Sequence, residues 1–302
     1  MNNVIEISVI IPSYNHASYL DQRIQTVLNQ TYPIKELIIL DDASADHSAN
    51  IIGKYSSDPR ISHIAINKTN SGSTFNQWKK GLELAKSPWV WIAESDDYAD
   101  LTFLEKMAGL IQHYPNVGIA FCRSQIVDEN NEVINYSYNH KKFSFGPTEI
   151  KDTLSSGYCL PNVSACLLKR DCALCAVVGL GKYKASGDLI FYTRMLHHTN
   201  IAYEDNILNY FRDHAGNVSR PAKKSGLWVT EGVDVIGNIN YSEVNFSVYT
   251  FLRVGFNWLR RVDKVTFKNK LTVFKKLLSA SWNFGLAKMS GMFHSSDYEL
   301  NS

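Results

Sequence analysis

Short apolar runs rich in β-branched residues alternate with helix-length amphipathic segments over the first 120 residues: "ISVII", "SYLDQRIQTVLNQ", "ELIIL", "SADHSANIIGKY", "ISHIAI", "STFNQWKKGLELAK", "WVWIA", "LTFLEKMAGLIQHY" and "VGIAF". This alternation predicts βα units around a mostly parallel sheet. Polar or acidic clusters follow three of the runs, namely "PSYN", "DDAS" and "ESDD". In open α/β sheets ligands bind beyond the carboxyl ends of the strands, so these clusters are expected to meet at one rim.

Past residue 120 the regularity fades. "SQIVDENNEVINYSY" reads as a hairpin turning at "DENNE", "VSACLLKR" as a strand, "DCALCAVVG" as a short helix closed by Gly179, and "GDLIFYTRMLHH" as an amphipathic helix. "IAYEDNILNYFRDHAGNVSR" is expected to form two short extended segments and a polar loop. From about residue 222 the chain turns helical, aromatic and basic. Between 249 and 290, Arg253, Arg260, Arg261, Lys264, Lys268, Lys270, Lys275, Lys276 and Lys288 face only Asp263, a local net charge of +8.

The whole chain of 302 residues carries only +2, which gives no electrostatic case for nucleic acid. Its hydrophobic content of 45% supports a sizeable core. Cysteines at 122, 159, 166, 172 and 175 are odd in number and scattered, as suits a reducing compartment. Cys172 and Cys175 have the spacing of half a metal site, but no second pair accompanies them, so a helix face is expected. The N-terminus lacks a basic region followed by an apolar stretch and a small-residue cleavage site, and no apolar run reaches spanning length. The expected location is therefore the cytoplasm, with a peripheral position on the inner face of the cytoplasmic membrane as an extension of it.

The stretch "WIAESDDYAD" poses the sharpest chemical question, because Glu94, Asp96, Asp97 and Asp100 follow an apolar run with little space between them. Like charges in one site cannot all stay ionised cheaply. A divalent cation is one solution; a solvated turn leading into the helix "DLTFLEKMAGLI" is the other.

"ISVIIPSYN", "LIILDDAS", "NSGSTFNQWKKGLELAKSPWVWIAESDD", "ASGDLIFYTRML" and "YFRDHAGNVS", in that order, resemble glycosyltransferase family 2, inverting enzymes with the GT-A fold. The resemblance covers residues 6 to 220. It implies a GT-A catalytic domain over 1–221, with a nucleotide-binding half to about 120 and an acceptor half beyond, followed by a helical extension over 222–302. It further implies transfer of a hexosyl group from a nucleotide-sugar donor to a hydroxyl of a glycan or lipid-linked glycan acceptor, aided by Mn2+ or Mg2+. Bacterial surface polysaccharide assembly, O-antigen or capsule, is the expected setting.

By position, the resemblance puts Pro12, Tyr14, Asp42, Asn70, Glu94, Ser95, Asp96 and Arg212 at the donor, with Asp41 supporting its loop. Tyr14 offers a ring beside the base, and the Asp42 carboxylate can accept from a base N–H. Asp96 and His214 are the expected metal ligands, with Glu94 and Asp97 as further candidates; Glu94 departs from the usual Asp of the family motif. Arg212 and Arg220 are expected to neutralise phosphate charge. Asp188 falls at the general base, where the family commonly has Glu and this chain has Gly187 just before it. An N-cap for the following helix is the structural alternative.

Two other readings compete. A sugar nucleotidyltransferase would carry a Gly-rich basic loop after the first strand, and "PSYNHASY" is not one. A non-catalytic nucleotide-sugar-binding module is supported only by the Glu94 and Gly187 departures. Near the C-terminus, Phe267, Leu271, Phe274 and Leu278 share one helical face beside Lys264, Lys268 and Lys275. That face suits an anionic membrane surface, or burial against the catalytic domain or a second subunit.

Overall fold

Successive residues of the first strand, β1 (Ile7–Ser13), point to opposite sides, and both sides lead into protein. Ile7, Val9 and Ile11 join one apolar cluster and Ile10 joins another, all fully buried. A sheet covered on both faces needs unbroken apolar strands, which is why the runs read as continuous rather than alternating. In the computed structural model, residues 4–156, 160–217, 219–241, 243–244, 246–261 and 266–296 are described. Cys159, Asp263 and Lys264 lie outside them.

Among the described residues, the sheet runs in the order β3 (Ile61–Ile66), β2 (Glu36–Asp41), β1, β4 (Trp89–Ile92), β9 (Cys166–Lys169), β6 (Val117–Val127), β10 (Asn200–Arg212) and β5 (Tyr98–Ala99). The pairs β1–β2, β2–β3, β1–β4 and β6–β10 are parallel. β9 is antiparallel to both β4 and β6, so the long strands on either side of it run the same way. Their carboxyl ends therefore share one rim, as the position of the polar clusters predicts.

One face is covered by α1 (Ala17–Leu28), α2 (Ser48–Lys54) and α4 (Phe103–His113). In α1 the buried Leu20, Ile24, Val27 and Leu28 fall at the spacing of a single helical stripe. The other face is covered by α3 (Thr74–Leu84), α5 (Gly146–Ser156), α6 (Arg170–Ala176) and α7 (Gly187–Leu196).

The C-terminal segment lies on that second face. It comprises α8 (Ser219–Ser225), α9 (Leu227–Gly232), a 3-10 turn (Val233–Asn238), α10 (Val248–Arg261) and α11 (Phe267–Ser296). Val229, Val233, Ile236, Phe246, Val254, Trp258, Val273 and Phe284 enter the same apolar cluster as Phe191 and Tyr203. Burying such side chains is worth about 1.5–3 kcal/mol each, so together they rival the roughly 5–15 kcal/mol that stabilises a whole domain. The extension is part of the core.

Three elements differ from the sequence reading. "VGIAF" and "SQIV" form one strand, β6, whose hairpin partner β7 (Val133–Tyr136) follows the expected turn, with Asn131 at φ 68°. The two segments expected in "IAYEDNILNYFR" form one strand, β10. Its polar "EDN" is absorbed as a bulge: pairing passes from Glu204 opposite Cys122 directly to Ile207 opposite Arg123. α5 lacks an apolar signature strong enough to be expected. No helix among the described residues is long and apolar enough to cross a membrane.

Candidate functional site

Where the strands end, the chain turns sharply, with Asn15 at φ 57° after β1 and Ala43 at φ 65° after β2. The turns open a cavity of about 490 Å³. Pro12, Tyr14, Asp42, Asn70, Glu94, Ser95, Asp96 and Asp97 all line it, and so does Asp188. Nine expected residues from five segments thus converge on one space.

The neighbouring acids are accommodated by unequal environments. Asp97 is almost fully buried, accepts from the Arg212 backbone N–H at 2.9 Å and from Asn162 Nδ2 at 2.5 Å, and lies 3.9 Å from the buried Arg23 guanidinium. Burial and the charge of Asp96 push it up to about 7 despite Arg23. Glu94 accepts from Trp78 Nε1 at 2.6 Å, and burial with Asp96 pushes it up to about 8. Burial works against Asp96 as well, but a hydrogen bond from His214 and the charges of His16 and His214 hold it below the ordinary carboxylate range. Asp96 is thus the acid held anionic, next to two imidazoles.

His214 Nδ1 accepts from the Gly216 N–H at 3.1 Å, which leaves Nε2 to donate to Asp96 Oδ2 at 3.2 Å. His16 is anchored by Nδ1 to Ser95 Oγ at 2.8 Å. Ligand atoms of His16, Asp96 and His214 lie within 4.8 Å of one another. Two imidazoles and a carboxylate around such a space could hold a divalent metal ion. Asp96 and His214 were expected there; His16 was not, and its only signal in the sequence is a histidine two residues after Tyr14 on the same rim.

Other side chains stand apart from the sequence reading. Arg212 does not line the cavity, contrary to its expected place at the donor. Its guanidinium is buried, donating to the Asp96 carbonyl at 2.8 Å, Asn131 at 2.7 Å and Gln22 at 2.8 Å, and it lies over the Tyr19 ring. It braces the acidic turn from behind. Arg220, also expected at phosphate, pairs with Asp213 at 2.8 Å. Lys184 is a cation that does line the cavity, and no motif singled it out. Asp42 faces the cavity while accepting from Asn67, Ser71 N–H, Ser71 Oγ and Gln77, so it also pins the loop that carries Asn70. Asp41 accepts from Ser44, the loop-supporting role expected of it. Cys172 is half-buried and Cys175 exposed, both as free thiols.

Asp188 lies in the first turn of α7, whose cap position belongs to Ser186, so the capping alternative is not realised. Burial, with the charge of Glu231, pushes it up to about 6. A Cβ at Gly187 would stand 2.6 Å from the Phe75 ring. The glutamate common before the base therefore has no room here.

Residues 8–164 match the family described as glycosyl transferase family 2. The "Putative teichuronic acid biosynthesis glycosyltransferase TuaG" of Bacillus subtilis is 39% identical over 101 residues, 33% of this chain and 39% of that protein. This chain thus spans well under half the length of that relative. Among solved structures, Staphylococcus aureus TarS 1-349 in complex with UDP-GlcNAc superposes with TM-score 0.70 at 18% identity, covering 91% of this chain and 81% of that one. The mannosyltransferase PcManGT from Pyrobaculum calidifontis, in complex with GDP-Man and Mn2+, gives TM-score 0.55 at 12% identity, covering 98% and 81%. These likenesses show the GT-A fold, and the family match takes in every rim segment up to Asp97; the chain belongs to glycosyl transferase family 2.

Proposed function

We propose that the protein is an inverting, metal-dependent glycosyltransferase that moves a sugar from a nucleoside-diphosphate sugar to a hydroxyl of a cell-surface glycan precursor. The observation that carries this reading is the convergence in one cavity of the Asp96 cluster and of a single separate carboxylate, Asp188. An inverting displacement asks for one base on the acceptor side and for charge neutralisation at the departing diphosphate. His16, Asp96 and His214 would hold the cation, which when bound supplies that positive charge. Tyr14 and Asp42 receive the base, Asn70 and Glu94 contact the remainder of the nucleoside, and Lys184 faces the diphosphate. Asp188 takes the acceptor proton as its oxygen attacks the anomeric carbon.

The surface-polysaccharide setting is supported by the named role of the Bacillus relative. A donor of this kind is supported by the UDP-GlcNAc and GDP-Man bound to the two structural neighbours. The acceptor is inferred to be lipid-linked, on the cytoplasmic side of the membrane, with the outer face of α10 and α11 resting on anionic headgroups. Titration with a panel of sugar nucleotides, with and without Mn2+, tests the donor reading. The parent protein is expected to bind at least one donor more tightly with Mn2+, and Asp96→Asn to lose that metal-dependent gain while melting at the parent's temperature. Equal donor affinity for parent and variant in Mn2+ would overturn the assignment of Asp96.

A further inference from the structure

The segment before Asp188 is held from an unexpected direction. Glu231, on α9 of the C-terminal extension, accepts from three consecutive backbone N–H groups: Lys184 at 3.1 Å, Ala185 at 2.8 Å and Ser186 at 3.1 Å. Ser186 Oγ donates to the Trp228 carbonyl at 3.0 Å, and a Cβ on Gly232 would stand 2.6 Å from Trp258. α9 thus packs closely at both of its ends. Just upstream, Tyr183 OH donates to Asp234 at 3.1 Å, and Asp234 pairs with Lys276 of α11 at 2.6 Å. The Tyr183 carbonyl in turn accepts from the buried Ser73 Oγ at 2.8 Å, on the loop that carries Asn70.

We propose that Glu231 is a positioning residue for Asp188: its carboxylate fixes the 184–186 segment that leads into the base, so the C-terminal extension completes the catalytic apparatus. Three observations carry this. Three N–H groups directed at one carboxylate define the segment more tightly than scattered single contacts would, because hydrogen bonds to a charged acceptor are the stronger kind. Gly187 has no space for the acid that the family commonly places beside the base, and the acid nearest in effect comes from another element. Glu231 is the side-chain charge that bears on Asp188, disfavouring its ionised form. Lys184, whose own N–H is clamped by Glu231, lines the same cavity, so the clamp also fixes where that cation starts.

The inference rests on Asp188 being the base, and its test separates the two. Donor hydrolysis and transfer by the full chain are compared for Glu231→Gln, which keeps acceptor oxygen but loses charge, and Glu231→Ala, which loses both. Glu231→Ala is expected to lower kcat by on the order of tenfold to hundredfold, with donor KM little changed, as for a misplaced catalytic group. Glu231→Gln is expected to recover part of that loss and to move the acidic limb of the pH profile to lower pH. A carboxyl-carbon NMR titration of Asp188, which needs no substrate, is expected to show the same displacement in Glu231→Gln, and hydrogen exchange at 184–186 is expected to speed up in Glu231→Ala. If Asp188→Asn is inactive while both Glu231 variants keep the parent's kcat and the Asp188 titration is unmoved, the positioning role is overturned and the base survives. If Asp188→Asn turns over normally, the base reading itself fails.

Discussion

A carboxylate that serves as a base has to be ionised when the acceptor arrives. Asp188 is pushed up to about 6, chiefly by burial, so the fraction ready to accept a proton rises as pH passes that value and is nearly complete above neutrality. Turnover is accordingly expected to fall on the acid side of about pH 6 for this group. Asp188→Asn should remove on the order of hundredfold to ten-thousandfold in kcat while donor affinity stays near the parent's, and the acid limb assigned to this group should vanish. Stopped-time assays across pH with parent and variant check both statements; near-normal turnover in the variant would sink them. The same scale explains what the sequence withheld. Asp96 and His214 could be placed because a motif names them, whereas His16 joins them only through the turn at Asn15 and the hydrogen bond to Ser95. Arg212 shows the reverse: its position near His214 suggested phosphate, and only the three-dimensional partners Gln22, Asn131 and the Asp96 carbonyl reveal a brace.

At the scale of elements, periodicity alone located the helices and all but one of the strands of the first 120 residues, because a sheet buried on both faces leaves a plain apolar imprint; the two-residue β5 inside the acidic turn is too short to leave one. It failed where a polar triplet sits inside a strand, at Glu204 to Asn206, since a bulge and a turn look alike in one dimension. Gly187 belongs to this scale, because it is the approach of α7 to α3 that requires it. The Phe75 ring standing against it is buried and packed edge-on to Trp78 at 4.8 Å, so it cannot swing away. Gly187→Ala is therefore expected to destabilise the fold by about 1–3 kcal/mol, the usual cost of overpacking, and to displace the base as α7 yields. Denaturant melts and kcat of Gly187→Ala, alone and with Phe75→Leu, measure this. The double variant should recover stability and part of the activity. A Gly187→Ala protein with the parent's midpoint would show that α3 and α7 have slack there.

For the molecule as a whole, the outward side of the last two helices is the feature the catalytic fold does not need. The stripe read from the sequence, Phe267, Leu271, Phe274 and Leu278, is exposed, continues through Trp282, and is not the side that packs on the catalytic domain; Val273, Leu277, Ala280 and Phe284 do that. On α10 a second exposed stripe, Val248, Leu252, Phe256 and Leu259, lies apart from the buried Phe251, Val254 and Trp258. Phe251 stacks on Phe284 at 4.5 Å, so α10 and α11 pack against each other. Exposed aromatic side chains together with a local net charge of +8 match an anionic, apolar-centred surface better than they match water. Lys276 is engaged inward with Asp234 and Arg261 lies over Trp258, whereas Arg253, Lys268 and Lys275 are exposed, as a surface that meets headgroups requires. Because α10 and α11 also complete the core, deleting them would unfold the protein rather than isolate the effect; substitutions on the outer face are the clean probe. Phe267→Ser with Phe274→Ser and Trp282→Ser should leave the melting temperature nearly unchanged. Lysine reversal at 268 and 275 to Glu should do the same. Sedimentation with vesicles of phosphatidylglycerol and phosphatidylcholine at low salt is expected to bring down the parent, release it as salt is raised, and lose both variants, since screening and charge reversal weaken the same attraction. Parent protein that stays in the supernatant at low salt would end the membrane reading, and a concentration-dependent dimer abolished by the aromatic substitutions would put a second copy of the chain on that face instead.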